Sequence, residues 1–243
     1  MNTVSSRTSV GPFLLASLAS GCAALLNQIL WSRILSLVFG STIEAVSAVT
    51  AVFMLGLALG SALSPRVART RDPRAAALLY SRVELTIAAS AMALAFLLPA
   101  LESLRAASGA ALAWSVGVVL LLIPSGLMGT TLVLQTRAIA VPDDPAGRSR
   151  LAGWLFAANT LGAVAGAYAS VLWFLPALGV RRSIFAAAFL NVVAALLGRR
   201  FAPSPAIETS TSHADEGSMK KVRKAKVAQP HTCLLYTSPS PRD

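Results

Sequence analysis

Between Pro12 and Leu197 the sequence is apolar, with only short polar interruptions, and the one that follows the second apolar stretch, PRVARTRDPR (Pro65 to Arg74), is crowded with arginine. A bilayer core about 30 Å thick is crossed by roughly 20 apolar residues in helical form. Stretches reaching or approaching that length lie at Pro12 to Phe39, Ile43 to Ser64, Ala75 to Leu101, Ala110 to Arg137, Leu151 to Leu178 and Arg182 to Gly198. In hydrocarbon no water satisfies the backbone, so each crossing must close its own hydrogen bonds as a helix. The expected fold is an all-α membrane protein, a bundle of six transmembrane helices over residues 12–198 behind a cytoplasmic segment, 1–11.

Composition supports this over a water-soluble fold: 55% of the residues are hydrophobic and only 13% are charged, too few to cover a globule in water. The formal charge of +11 is then read through the tendency of arginine and lysine to stay in cytoplasmic loops. With the N-terminus inside, cytoplasmic segments hold Arg7, then Arg66, Arg69, Arg71 and Arg74, then Arg137, Arg148 and Arg150, then Arg199 and Arg200; the outer loops hold Arg105, Arg181 and Arg182. Arg66, Arg69, Arg71 and Arg74 thus act as topology residues, and both termini are expected in the cytoplasm. The basic residues are scattered through short loops without interleaved aromatics, which argues against a nucleic-acid partner. Cys22 lies within the first apolar stretch and Cys233 far away in a polar tail, so the pair builds neither a disulfide framework nor a metal site. The first apolar run is too long for a removable signal and is expected to stay as a helix.

After Arg200 the composition changes to Ser, Thr, Pro, Asp and Glu and then to KKVRKAK (Lys220 to Lys226), which holds every lysine of the chain. Residues 199–232 read as a polar and basic linker that buries too little apolar area to order itself. Its basic run is suited either to solvent or to anionic headgroups. The last residues, CLLYTSPSPRD (Cys233 to Asp243), resemble translated sequencing-adapter sequence. They are expected to be a non-native tail at a frame cut after the linker, with a further soluble domain lost beyond it.

Polar residues inside the apolar stretches are the candidates for function. Asn27 and Gln28 fall past the midplane of the first helix and Arg33 near its outer end. Ser41 and Glu44 have the S-x-x-E spacing of a capping box, so Glu44 reads as a helix-start device, with Arg33 as a second partner. Glu84 lies deep in the third stretch, where a charge costs at least about 2.5 kcal/mol, so it must face protein or water. Gln135, Asn159 and Asn191 complete the set, and Gln135 and Asn159 share the inner half of the bilayer with Glu84. Glu84, Asn159, Gln135, Gln28 and Asn27 are the candidates for a substrate or ion pathway.

Two further patterns concern packing. Gly56 and Gly60, and again Gly162 and Gly166, are four residues apart, a spacing that puts both on one face and lets a neighbouring backbone approach. Pro124, Gly126 and Gly129 fall in the middle of the fourth stretch beside Thr130 and Thr131. Proline deletes a backbone bond and glycine loosens the turn, so a break or kink is expected there. Such a break either lines a cavity or only adjusts packing.

Taken in order, SGCAALLNQILWSR, FMLGLALGSALSPRVARTRDP, PSGLMGTTLVL, FAANTLGAVAGAYASVLWFLPALGV and AAFLNVVAALL resemble the membrane region of bacterial fused spermidine synthase-like proteins. There, helices similar to half of a major facilitator transporter precede a soluble aminopropyltransferase-like domain. The resemblance covers about residues 11–198 and implies a location in a bacterial inner membrane. Two positions depart from the pattern: Asn27 stands where relatives usually carry Tyr, and Val133 where Pro is usual after Thr-Leu. The resemblance supplies no active site to this chain. Aminopropyl transfer needs a glycine-rich nucleotide-binding domain, and no strand-period pattern or glycine-rich loop is present, so an enzymatic label belongs to the domain expected beyond the linker. No cofactor is expected here.

Three functions fit these residues. One is a membrane module that anchors, and feeds or drains, a polyamine-type enzyme domain. Another is a half-size transporter that works as a homodimer, with Glu84 as the protonatable or cation-binding group. The last is a structural anchor in which Glu84 is paired with a polar neighbour.

Overall fold

The computed structural model describes residues 10–67, 72–139 and 145–202, and among these there are helices and no strands. Helix α1 spans Val10–Phe39, α2 Thr42–Val67, α3 Pro73–Ser108, α4 Ala110–Ala138, α5 Pro145–Ala169 and α6 Leu175–Arg200, and a π-helical turn, Ser170–Phe174, joins the last two. Five helical segments are long and apolar enough to cross a membrane, the fifth being all of Pro145–Arg200. Arg69, Arg71, most of the expected linker and the whole of the expected tail lie outside the described residues.

Local chemistry sets the helix ends. Asp72 precedes α3, and its carboxylate accepts from the backbone N–H of Arg74 at 3.0 Å and of Ala75 at 3.1 Å, with Pro73 pre-set for the first turn. At the start of α2, Ser41 Oγ accepts from the Glu44 N–H at 3.4 Å, whereas no ion pair between Glu44 and Arg33 is present among the described residues. Helix α3 runs through Pro99 to Ser108, past the expected end at Leu101, and stops where Gly109 adopts φ 87°. The segment Pro145–Arg200, at 56 residues, would be about 84 Å long as one rod. Gly179 divides it, with φ 71° and ψ 175° inside the last helix, a conformation that side chains with a Cβ rarely adopt.

Helix directions alternate along the chain. On α1 and α5, Ser17 Oγ donates to the Leu155 carbonyl at 2.9 Å, and Leu18 and Cys22 meet Gly162 and Gly166 in the same order, so these two helices run parallel. On α2 and α4, Gly56 meets Ser125 and Gly126, and Ser61 Oγ donates to the Gly129 carbonyl at 2.9 Å, again in parallel. Gly198 of α6 faces the Tyr80 ring near the start of α3, which makes those two antiparallel. Phe39 at the end of α1 stacks on Trp114 near the start of α4, ring centres 3.8 Å apart.

Helix α1 touches every other helix and occupies the centre of the bundle. Its apolar residues are distributed all round, as a central position requires. The outside is apolar as well: Ile43, Trp154, Phe156, Leu161, Tyr168, Trp173 and Phe189 are largely exposed. That surface suits lipid tails and would be untenable as a contiguous patch in water.

The two glycine pairs meet different partners. Gly56 and Gly60 lie against the backbone of α4 at Ser125, Gly126 and Gly129, and Gly162 and Gly166 against the α1 carbonyls of Leu18 and Cys22. A methyl group at Gly60, Gly162 or Gly166 would overlap a backbone oxygen. Helix α4 is continuous through Pro124, Gly126 and Gly129: the proline removes a single backbone bond without ending the helix, and α2 packs against both glycines.

Candidate polar site in the bundle core

Glu84 lies on α3 eleven residues after Pro73, near the middle of the bundle, and is 0% exposed. Tyr80 sits one turn toward the start of α3, Ser20 faces it from α1, and Gln135 approaches from the last turns of α4. The Ser20 and Tyr80 hydroxyls lie at the edge of reach of the Glu84 carboxyl, and Gln135 stands in the same relation to Tyr80. None of them closes to a hydrogen bond. Glu84 Oε1 and Oε2, Tyr80 Oη and Gln135 Nε2 are all buried without a partner.

Such a group is costly. A buried polar atom left unpaired destabilises a protein by about 1–3 kcal/mol, and a charged one by more. No basic side chain pairs with Glu84 among the described residues. Arg82, two residues away, is exposed on the other side of α3, as the roughly 200° rotation between them dictates.

Apolar side chains close the site on the side of the expected cytoplasmic loops. Phe13, Ala76, Ala77, Ala138 and Leu151 form a separate buried cluster there. Toward the opposite end lie Ile34, Leu35 and Val38 of α1 with Leu94 and Leu98 of α3. The acid is therefore a buried polar group between two apolar layers, and an ammonium group is the chemical complement of a carboxylate without a hydrogen-bond partner, a phenol and a carboxamide.

The other candidates are distributed differently. Gln28 turns to α2, where its Nε2 donates to Thr50 Oγ1 at 3.2 Å, leaving Oε1 unpaired. Asn27 is buried with neither amide atom bonded, and Asn191 of α6 is buried with Nδ2 unbonded. Asn159 packs on Gly21 of α1 with its carbonyl and side chain and is partly exposed. Sequence reasoning missed Ser20, Tyr80 and Trp31. Trp31 is 0% exposed with Nε1 unpaired, and nothing in its local sequence distinguishes it from an ordinary aromatic of an apolar helix.

Among the described residues no three of His, Cys, Asp and Glu gather into a metal-binding group. Comparisons with protein-family models, with curated proteins and with solved structures give no match.

Proposed function

We propose that this chain is a multi-pass membrane module of the spermidine synthase-like kind, and that its bundle binds and passes a small amine cation at Glu84. In this reading α1 to α4 each cross the bacterial inner membrane once and Pro145–Arg200 crosses twice, turning at Gly179. Both termini face the cytoplasm and the turn at Gly109 faces out. The alternating helix directions and the arginines at Arg66, Arg74, Arg199 and Arg200 support this threading.

One observation carries the reading: a fully buried carboxylate with neither oxygen hydrogen-bonded, between apolar layers on either side. A structural anchor has no use for so costly a group, whereas a cation site requires it. The resemblance of the helix motifs to spermidine synthase-like membrane regions supports a polyamine-type ligand over a metal ion. The phenol of Tyr80 and the amide of Gln135 add neutral polar contacts of the kind an alkylammonium accepts.

Reconstitution in lipid vesicles tests it. Purified protein is expected to mediate saturable flux of labelled putrescine or spermidine, and Glu84→Gln to abolish that flux with insertion unchanged. Equal flux in the two proteins would remove Glu84 from the pathway, and none in either would leave the chain as an anchor.

A further inference from the structure

Helices α3 and α6 keep one antiparallel register along their shared length. Toward the Pro73 end of α3, Gly198 of α6 meets Tyr80. Toward the other end, the Arg181 guanidinium of α6 stands over the Phe96 ring of α3, 5.2 Å from its centre. Tyr80 and Phe96 are 16 residues apart and Gly198 and Arg181 are 17 apart, so the two helices neither slip nor part between these contacts.

Arg181 and Phe96 are both exposed, so their contact marks the outer groove between the two helices. Arg199 follows Arg181 by 18 residues on α6, and Leu78 precedes Phe96 by 18 on α3, a spacing of about five complete turns. Arg199 is thereby brought to the same groove at the level of Leu78. Arg74 and Arg82 stand four residues before and after Leu78, one turn to either side on nearly the same face. All three arginines are exposed, and they line about 12 Å of the groove.

The two helices supply no charge to balance them. Helix α6 contains no acid; on α3, Glu84 is buried on the opposite side and Glu102 lies 20 residues beyond Arg82. The Asp72 carboxylate caps α3 at the Arg74 and Ala75 N–H groups. Arg82 is also nine residues inside the helix, about 13 Å from its start. A lipid-facing guanidinium at that depth needs an anion within reach, and its long stem can carry the charge along the groove toward one. In the other direction the groove is apolar: Leu85 and Met92 follow Leu78 by seven and fourteen residues, and Val192 and Phe185 precede Arg199 by the same steps.

We propose that this groove binds an anionic phospholipid. Arg74, Arg82 and Arg199 hold the headgroup phosphate, and an acyl chain lies along Leu85, Met92, Val192 and Phe185. Guanidinium groups meet phosphate oxygens through paired N–H donors, and a headgroup of net negative charge is favoured over a zwitterionic one, whose own cation opposes the arginines. The site faces away from Glu84 and is independent of the polyamine reading.

Native mass spectrometry of the detergent-purified protein, titrated separately with phosphatidylglycerol and phosphatidylcholine, tests it. One phosphatidylglycerol is expected to bind at least tenfold more tightly than phosphatidylcholine. Arg82→Gln and Arg199→Gln are each expected to weaken it at least fivefold, and Arg150→Gln, at the start of α5, to leave it within twofold. Equal affinity for the two lipids overturns the proposal, as does the same loss in Arg150→Gln as in Arg82→Gln, which would mean diffuse attraction to a basic surface. Photo-cross-linking of the wild type with phosphatidylglycerol carrying a diazirine on an acyl chain decides the matter even where a variant does not fold. Adducts are expected between Leu85 and Met92 or between Phe185 and Val192, and adducts spread evenly over the other helices overturn the site. Polyamine flux without selective lipid binding refutes the lipid site and leaves the role of Glu84 standing; selective lipid binding without flux does the reverse.

Discussion

Gly198 of α6 lies against the ring of Tyr80 on α3, so that a Cβ built on the glycine would stand 2.5 Å from Cδ1 and 2.8 Å from Cε1. This contact fixes the position of the phenol one turn below Glu84. Gly198→Leu is expected to displace Tyr80 and to destabilise the bundle by about 1–3 kcal/mol, as overpacking does. A thermal melt in detergent reads the loss, and an unchanged midpoint would mean that the two helices are not in this register.

Backbone contacts are less forgiving than ring contacts. Gly162 faces the Leu18 carbonyl and Gly60 the Gly126 carbonyl, and neither oxygen can rotate away. Gly162→Ala and Gly60→Ala are each expected to cost at least about 1 kcal/mol, whereas Gly153→Ala, with nothing within 4 Å of its Cβ position, should be neutral or slightly stabilising. Similar melting curves for the three variants would contradict the packing described.

Gly179 is constrained by conformation and not by space. Nothing lies within 4 Å of a Cβ there, but φ is +71°. Gly179→Val is expected to destabilise the turn by about 1–2 kcal/mol and Gly179→Asn by clearly less, since asparagine tolerates this region better. Equal effects from the two would place the turn elsewhere.

Tyr80→Phe removes a buried hydroxyl that has no partner. The ligand-free protein is expected to gain about 1 kcal/mol in stability, while affinity for a polyamine falls. A drop in melting temperature without ligand would show that the hydroxyl is bonded after all.

The fold was more legible than the site, for physical reasons. Apolar runs long enough for a bilayer announce helices directly, and the expected boundary between Leu178 and Arg182 brackets the turn at Gly179. Four-residue glycine spacing marks a contact face but not its partner, which only the assembled bundle reveals as α4 for Gly56 and α1 for Gly162. Pro124 lies inside a continuous α4, because a proline inside a well-packed helix removes one hydrogen bond without ending it. Glu84 stands out in the sequence through its depth. Tyr80 is signalled by its four-residue spacing from Glu84 on the same helix, whereas Ser20 is not, since it reaches the acid from α1, and Asn159, at a similar depth, packs on Gly21.

Equilibrium binding of radiolabelled spermidine to the purified protein in lipid nanodiscs tests the central claim most directly. The account predicts saturable binding to the wild type that putrescine displaces, at least a tenfold loss of affinity in Glu84→Gln, equivalent to about 1.4 kcal/mol, and unchanged insertion of the variant. Undiminished binding by Glu84→Gln, or no saturable binding by the wild type, would contradict it.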